Sequence, residues 1–382
     1  MAFFDIIIRK KEVIYMSLTA GIVGLPNVGK STLFNAITKK SILMANYPFA
    51  TIDPNVGVVI VPDERIDVLK NMYNPERVIS TTYEFTDIAG LVKGASNGEG
   101  LGNKFLSHIR EVDAIVEVVR CFEDSNIIHV ENTVDPIRDI EIINVELSLS
   151  DLEIINNRID KVQKKALTNR DKDALMEYEI LKKAKDNLEV GKALRRVDFT
   201  KEERLYLKNF NLLTNKPIIY LANVLESELL DNNEHVQKVI DYASSEDAKV
   251  IKISAKMEEE LSDLDYEDKM EMLNSVGIKE SGLDLLIKAT YDLLGLETYF
   301  TAGSDEVRAW TYKKGMNAKE CAGIIHTDFE KGFIKAEVIS YEDLISCGNE
   351  LKVKEAGKVR LEGKDYLMQD GDICYFRFNV SK

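Results

Sequence analysis

Eight consecutive residues carry the most specific chemistry in the chain: Gly24-Leu-Pro-Asn-Val-Gly29-Lys30-Ser31. The spacing is G-x-x-x-x-G-K-S, between a short apolar run, Thr19 to Val23, and a helical pattern from Thr32 to Thr38. Glycines there let the backbone turn its N–H groups onto phosphate oxygens, and the helix that follows adds the positive end of its dipole. Lys30 would reach β- and γ-phosphate oxygens, and Ser31 would offer its hydroxyl to Mg²⁺. Asn27, Val28, Gly29, Lys30, Ser31 and Thr32 are the expected phosphate-binding stretch. A plain glycine-rich turn is the alternative, and the strand before and helix after argue against it.

The other parts of a nucleotide switch follow in order. Thr82 to Asp87 alternates like a strand and delivers Asp87 to its end, the place for a carboxylate behind the metal. Ile88-Ala-Gly90 comes next, facing the γ-phosphate side, so Lys30 and Gly90 are the candidate catalytic positions. Between the two motifs, Tyr47 to Pro54 is a proline-punctuated loop whose Thr51 hydroxyl could close on the metal. The expected metal set is therefore Ser31, Thr51 and Asp87. Further on, Asn223-Val-Leu-Glu226 and Ser254-Ala-Lys256 each end an apolar run. Guanine-binding proteins carry N-K-x-D and S-A-K at such strand ends, which makes Asn223, Val224, Glu226, Ser254 and Ala255 the base-side candidates.

Taken together, Gly24–Ser31, Asp87–Gly90, Asn223–Glu226 and Ser254–Lys256 resemble the Obg-related branch of P-loop nucleotidases. The flanking text, Asn46-Tyr-Pro-Phe-Ala-Thr-Ile-Asp-Pro-Asn55 and Leu91-Val-Lys-Gly-Ala-Ser-Asn-Gly-Glu-Gly-Leu-Gly102, looks like its YchF/Obg-like ATPase family. The likeness runs from Leu18 to Val380. It implies a P-loop fold, a preference for ATP over GTP, the ribosome (large subunit or whole, through rRNA or ribosomal protein) as partner, and a role in translation or stress regulation.

The choice of base also has a chemical argument. A guanine-selecting aspartate accepts from N1–H and the 2-amino group, and adenine offers neither. Glu226 replaces that aspartate with a longer side chain, and Val224 replaces the lysine whose stem packs on the base. Losing two designed hydrogen bonds forfeits discrimination of the kind worth ~10⁴-fold in polar pockets. Adenine is the expected base, met by Asn223 and the Val224 backbone; a GTPase with a degenerate motif is the rival. On the hydrolytic side, the position of the water-orienting glutamine is Leu91, so intrinsic turnover should be slow until another group, ion or partner completes the site. His108 reads as a surface helix residue rather than a helper. Several family members carry a histidine where this chain has Glu117, and that role is not transferable.

The positioning elements follow from length and pattern. With 382 residues, 45% of them apolar and 30% charged, two or three globular domains are expected, and neither a fibre nor a disordered tail fits. No apolar run approaches the ~20 residues of a membrane helix, so no membrane span is expected. Four dispersed cysteines without a C-x-x-C pair give no zinc or disulfide framework and suit a reducing cytoplasm. The net charge of -15 disfavours DNA, and a monomer is expected. Residues 1–16 read as an extension, with Met16 a candidate start, followed by a doubly wound α/β nucleotidase over 17–140 and 205–300.

Within the nucleotidase, Val145, Leu149, Leu152, Ile155, Ile159, Val162 and Ala166 recur at steps of four and three, predicting a coiled-coil-like helix. A second series, Leu175 to Leu188, completes an antiparallel hairpin over 141–204; a structural arm and a docking arm suit it equally. Short strands in 301–382 predict a small mixed sheet, and this part resembles the ubiquitin-like TGS domain. The hairpin has 14 basic and 14 acidic residues and the C-terminal part 13 and 14, so -14 remains on the nucleotidase. RNA contact needs unopposed lysine and arginine. The hairpin and the C-terminal part, with Lys313, Lys314, Lys331, Lys335 and Arg360, are therefore the expected faces, while Trp310 and His326 read as packing residues.

Overall fold

The computed structural model describes residues 18–42, 55–88, 101–168 and 171–379. The chain divides into two compact units, residues 18–59 with 83–293, and residues 60–82 with 294–382.

The first unit is built on strands β1 (Thr19–Val23), β2 (Val56–Ile60), β4 (Thr82–Asp87), β5 (Ala114–Arg120), β6 (Ile218–Asn223) and β7 (Lys249–Ile253), in the order β2-β4-β1-β5-β6-β7. β4, β1, β5, β6 and β7 pair in parallel. β5 and β6 are buried along their whole length, as a sheet covered on both faces requires. The register sets Ile22 beside Asp87, Arg120 beside Asn223 and Asn223 beside Ile253, so the carboxyl ends of the strands finish level. In open parallel sheets that edge is where ligands bind. Helices α1 (Lys30–Ile42), α3 (Leu101–Glu111), α7 (Glu234–Ser244), α8 (Ala255–Leu261), α9 (Tyr266–Ser275) and α10 (Gly282–Leu293) complete the unit.

The hairpin is α4 (Pro136–Leu167) and α5 (Lys172–Glu189). α4 begins five residues before the expected boundary, with Asp135 accepting from the Arg138 N–H as N-cap and Pro136 at the first turn. Its basal turns bury Ile140, Ile143 and Leu147, whereas Val145 and Leu149, read from sequence as seam residues, are 54% and 45% exposed. The apolar period passes from one face to the other because the base of the helix packs in the nucleotidase while the distal part packs on α5. There Ile155 and Val162 meet Ile180, Leu181, Ala184 and Leu188, and Leu194, Val197, Phe199, Leu207 and Leu212 join the same cluster. The returning chain thus makes a third wall, and the distal hairpin is more than a two-stranded coil.

In the second unit the sheet order is β11-β10-β12-β8-β9-β3. β8 (Leu296–Ala302) and β9 (Glu306–Lys313) form an antiparallel hairpin; β10 (Phe333–Ser340) pairs antiparallel with β11 (Arg360–Glu362) and β12 (Asp372–Phe378); β12 runs parallel to β8. The last strand, β3 (Arg77–Ile79), comes from far upstream and pairs in parallel with β9. With helix α2 (Glu64–Tyr73) it belongs here rather than to the nucleotidase, where the sequence reading placed it. Ile66 and Leu69 of α2 pack with Phe300, Val307, Ile339 and Ile373, together with Leu344 of α13 (Tyr341–Cys347) and Val353 of α14 (Glu350–Glu355). Arg65 binds both Asp63 and Asp370. The other face holds Tyr299, Trp310 and Tyr312 against Cys321 and Ala322 of α11 (Ala318–Ile325). His326 caps α12 (Thr327–Lys331), its Nδ1 accepting from the Asp328 N–H. Two of the expected RNA-facing cations are paired within the unit, Lys314 with Glu297 and Arg360 with Asp372.

Candidate functional site

The phosphate loop leaves β1 at Val23. A Cβ on Gly24 would stand 2.8 Å from the Val118 carbonyl and 2.9 Å from Val28 Cγ2, so only glycine lets the turn lie so close to β5. Asn27 and Gly29 take positive φ, 64° and 98°. At Gly29 a side chain would be strained by the backbone and would also collide with the Asn223 amide. These two residues reverse the chain into α1, whose Leu33 N–H closes the first turn on the Gly29 carbonyl. No acidic residue occupies the first turn of α1, so its positive end is left for an anion. Val28 and Lys30 are buried, while Ser31 is exposed and Thr32 half-buried at the helix start.

Lys30 and Asp87 lie 57 positions apart and converge, with Nζ 2.5 Å from Asp87 Oδ1. β4 delivers the carboxylate to this place through the pairing of Asp87 with Ile22, and the Asp87 N–H is held by the Asn55 carbonyl at 2.8 Å. The groups proposed from sequence for the γ-phosphate and for the metal therefore share one spot. Thr51, Gly90 and Leu91 lie outside the described residues.

On the base side the structure changes the roles. Asn223, 4% exposed, donates from Nδ2 to the Val28 carbonyl and accepts at Oδ1 from the Ala255 N–H, each at 2.9 Å. Its first task is to tie the phosphate loop to the start of α8, leaving one N–H and one lone pair for a base. Of the Val224 backbone, expected to meet adenine, the N–H is spent on the Ile253 carbonyl because Val224 still continues the β6–β7 pairing. Glu226 is exposed in a short 3₁₀ turn. Ser254 caps α8 by accepting from the Met257 N–H, and Ala255 is buried behind it.

Two features escaped the sequence reading. Glu117 is fully buried, and burial raises its carboxyl well above the usual range, with Glu246 and Asp139 adding to the shift and Arg195 opposing it. Of these, Arg195 and Glu246 pair with each other, and Tyr220 also donates to Glu246. The second is Arg120, the last residue of β5. It is buried and donates to the carbonyls of Phe122, Asp124 and Ile127 at 3.0–3.2 Å, fixing the loop beyond β5. Charged residues inside the apolar strand AIVEVVR were the available signal. His108 sits on the surface of α3, as expected.

A parallel sheet, a glycine-built phosphate loop opening a helix, and a lysine and aspartate converging at the strand ends define a P-loop nucleoside-triphosphatase fold. A family model described as "50S ribosome-binding GTPase" matches residues 19–168, and the model for the YchF-GTPase C-terminal region, described as a protein of unknown function, matches 296–379. The Ribosome-binding ATPase YchF of Bacillus subtilis (strain 168) is 61% identical over 367 residues, covering 96% of this chain and all of that protein. That of Escherichia coli O157:H7 is 52% identical with the same coverage. The solved Schizosaccharomyces pombe YchF GTPase superposes with a TM-score of 0.87 at 42% identity, over 97% of this chain and 99% of the other. The chain belongs to the YchF family.

Proposed function

We propose that the chain is a Mg²⁺-dependent hydrolase of ATP, preferred over GTP, that works as a nucleotide switch on the ribosome in translation or stress regulation. The observation that carries this reading is the convergence of Lys30 on Asp87 beside a loop that turns through positive φ at Asn27 and Gly29 into α1, whose first turn holds no acidic residue. Ser31 and Asp87 are hard oxygen donors of the kind Mg²⁺ takes, and would hold it with phosphate oxygens. Bound there, the ion would neutralise charge on the β- and γ-oxygens. The loop amides and Lys30 orient the triphosphate for in-line attack by water. With leucine at position 91, nothing at that position orients the water, and turnover waits on another side chain, an ion or a partner.

Adenine is favoured by the loss of both guanine-reading features, Val224 for lysine and Glu226 for aspartate. The bacterial relatives are named ATPases and the fission-yeast protein a GTPase, so the base is the point to test. Parallel titrations should give a Kd for ATP at least tenfold below that for GTP, and the reverse order would leave an Obg-type GTPase of ribosome assembly. Lys30→Ala should lower phosphate release by about 10²-fold, since it removes a preorganised charge on the transferred group. Equal rates would instead leave a ribosome-binding adaptor with a vestigial site. Sedimentation with purified ribosomes at two salt concentrations, with and without an ATP analogue, tests the partner. We place the protein in the cytoplasm, as a monomer, with the α4–α5 hairpin and the C-terminal unit as the ribosome-facing parts.

A further inference from the structure

The phosphate loop is pinned at two successive residues by two different elements. The Val28 carbonyl is held by Asn223, as described. Asn27 is held elsewhere: its Nδ2 donates to the carbonyl of Ile128, 3.0 Å away and 101 positions downstream, in the loop between β5 and α4. Asn27 is the non-glycine residue that must keep a φ of 64° for the phosphate loop to turn. A side-chain bond that fixes its direction also fixes that backbone conformation, which costs a free residue on the order of a kcal/mol to hold.

The carbonyl that receives Asn27 is itself placed by its neighbour. His129 is 5% exposed, and its Nδ1 accepts from the Glu131 N–H at 3.1 Å. The ring proton is therefore on Nε2, which donates to Asp139 Oδ2 at 2.8 Å, in the first turn of α4. Arg120 holds the Ile127 carbonyl on the other side. The loop is thus clamped by the last residue of a central strand, by the hairpin helix and by the phosphate loop, although the Ile128 side chain itself is 77% exposed. No motif contains His129 or Asp139, and both are buried away from any phosphate-binding position.

We propose that His129 is a positioning residue for nucleotide: by anchoring the 127–129 backbone to Asp139 it presents the Ile128 carbonyl that holds Asn27, and with it the phosphate loop, in the binding conformation. The proposal rests on the nucleotide-binding reading above. It assigns His129 no contact with nucleotide and no part in moving protons.

A double-mutant cycle tests it, read as the Kd for a methylanthraniloyl-labelled ATP together with KM and kcat of hydrolysis. Asn27→Ala and His129→Ala should each weaken binding about fivefold, the loss expected for one hydrogen bond, and His129→Ala should leave kcat within about twofold of wild type. The double variant should bind no more weakly than Asn27→Ala alone, because His129 acts through Asn27. His129→Gln, whose amide can reach Asp139, should restore binding to within about twofold of wild type, and His129→Leu, which fills the space without the bond, replaces His129→Ala in the cycle if that variant does not fold, with the same fivefold loss expected. Losses that multiply in the double variant, a His129→Ala protein that binds normally, or a kcat that falls while Kd holds would each overturn the proposal. A wild type that prefers labelled GTP overturns the adenine reading alone, since the same cycle run with GTP still judges His129. A wild type that binds neither nucleotide overturns both.

Discussion

The two six-stranded sheets among the described residues use their polar residues in opposite ways. In the nucleotidase β4, β1, β5, β6 and β7 pair in parallel and the strand ends stand level, so Asp87, Arg120, Asn223 and Ser254 are gathered at one edge from widely separated parts of the sequence. In the other unit most pairings are antiparallel, and buried polar groups such as Asp372 are closed off locally by Arg360, Tyr366 and the Gln369 N–H. The first arrangement leaves hydrogen-bonding capacity pointing at one place, and the second uses it up within a few residues. Parallel strands share a direction, so their carboxyl ends coincide; antiparallel neighbours send theirs to opposite sides.

Substitutions should respect that difference. The largest effect is expected for Asn223→Ala, which strands the buried Val28 carbonyl and Ala255 N–H. Two orphaned groups at about 1–3 kcal/mol each should lower Tm by several degrees and weaken ATP binding by at least tenfold, measured by thermal melts and titration. Next comes Glu117→Gln. Because burial raises the folded pKa of Glu117 above its unfolded value, its stabilising share is full below the unfolded pKa and is lost as pH rises through the folded one. The glutamine should therefore flatten the fall of stability with rising pH above about 4.5 and leave the variant more stable than wild type by about 1 kcal/mol at pH 8, followed by urea unfolding across pH 5 to 8. The smallest effect is expected for Arg65→Ala in the second unit. Its pair with Asp370 is partly solvated, so a loss of about 0.5–1 kcal/mol is expected, with ATP binding unchanged within about twofold. Nucleotide affinity that tracks Arg65 as strongly as Asn223 would erase the contrast between the sheets.

Much of the first unit was legible beforehand because its signals are local. The glycines of the phosphate loop, the strand before it and the helix after it all lie within two dozen residues, and each constrains the backbone directly. Lys30 was expected at the phosphates and Asp87 at the metal, and their direct pairing was not read from the sequence. What the sequence did not show is that Asn223 and the Val224 N–H already have partners within the protein. Whether a strand-end amide serves a ligand or its own protein depends on which carbonyl arrives opposite it, and Val28 is 195 positions away. The hairpin shows the same limit: its helices were evident from period, but Val145 and Leu149 could not be told from seam residues, since spacing reports a face and not what covers it.

By itself, then, the sequence determined what is written in short-range steric terms: a P-loop, its flanking elements, a helical hairpin and a mixed C-terminal sheet. Only the tertiary structure decided that residues 60–82 complete the second sheet, that Glu117 is buried among Arg195, Glu246 and Asp139, and that Asn27 leans on Ile128. Those outcomes depend on long-range apolar and hydrogen-bonding partners chosen when the chain closes on itself, and an amphipathic helix or a lone polar side chain carries no local mark of which partner it will find.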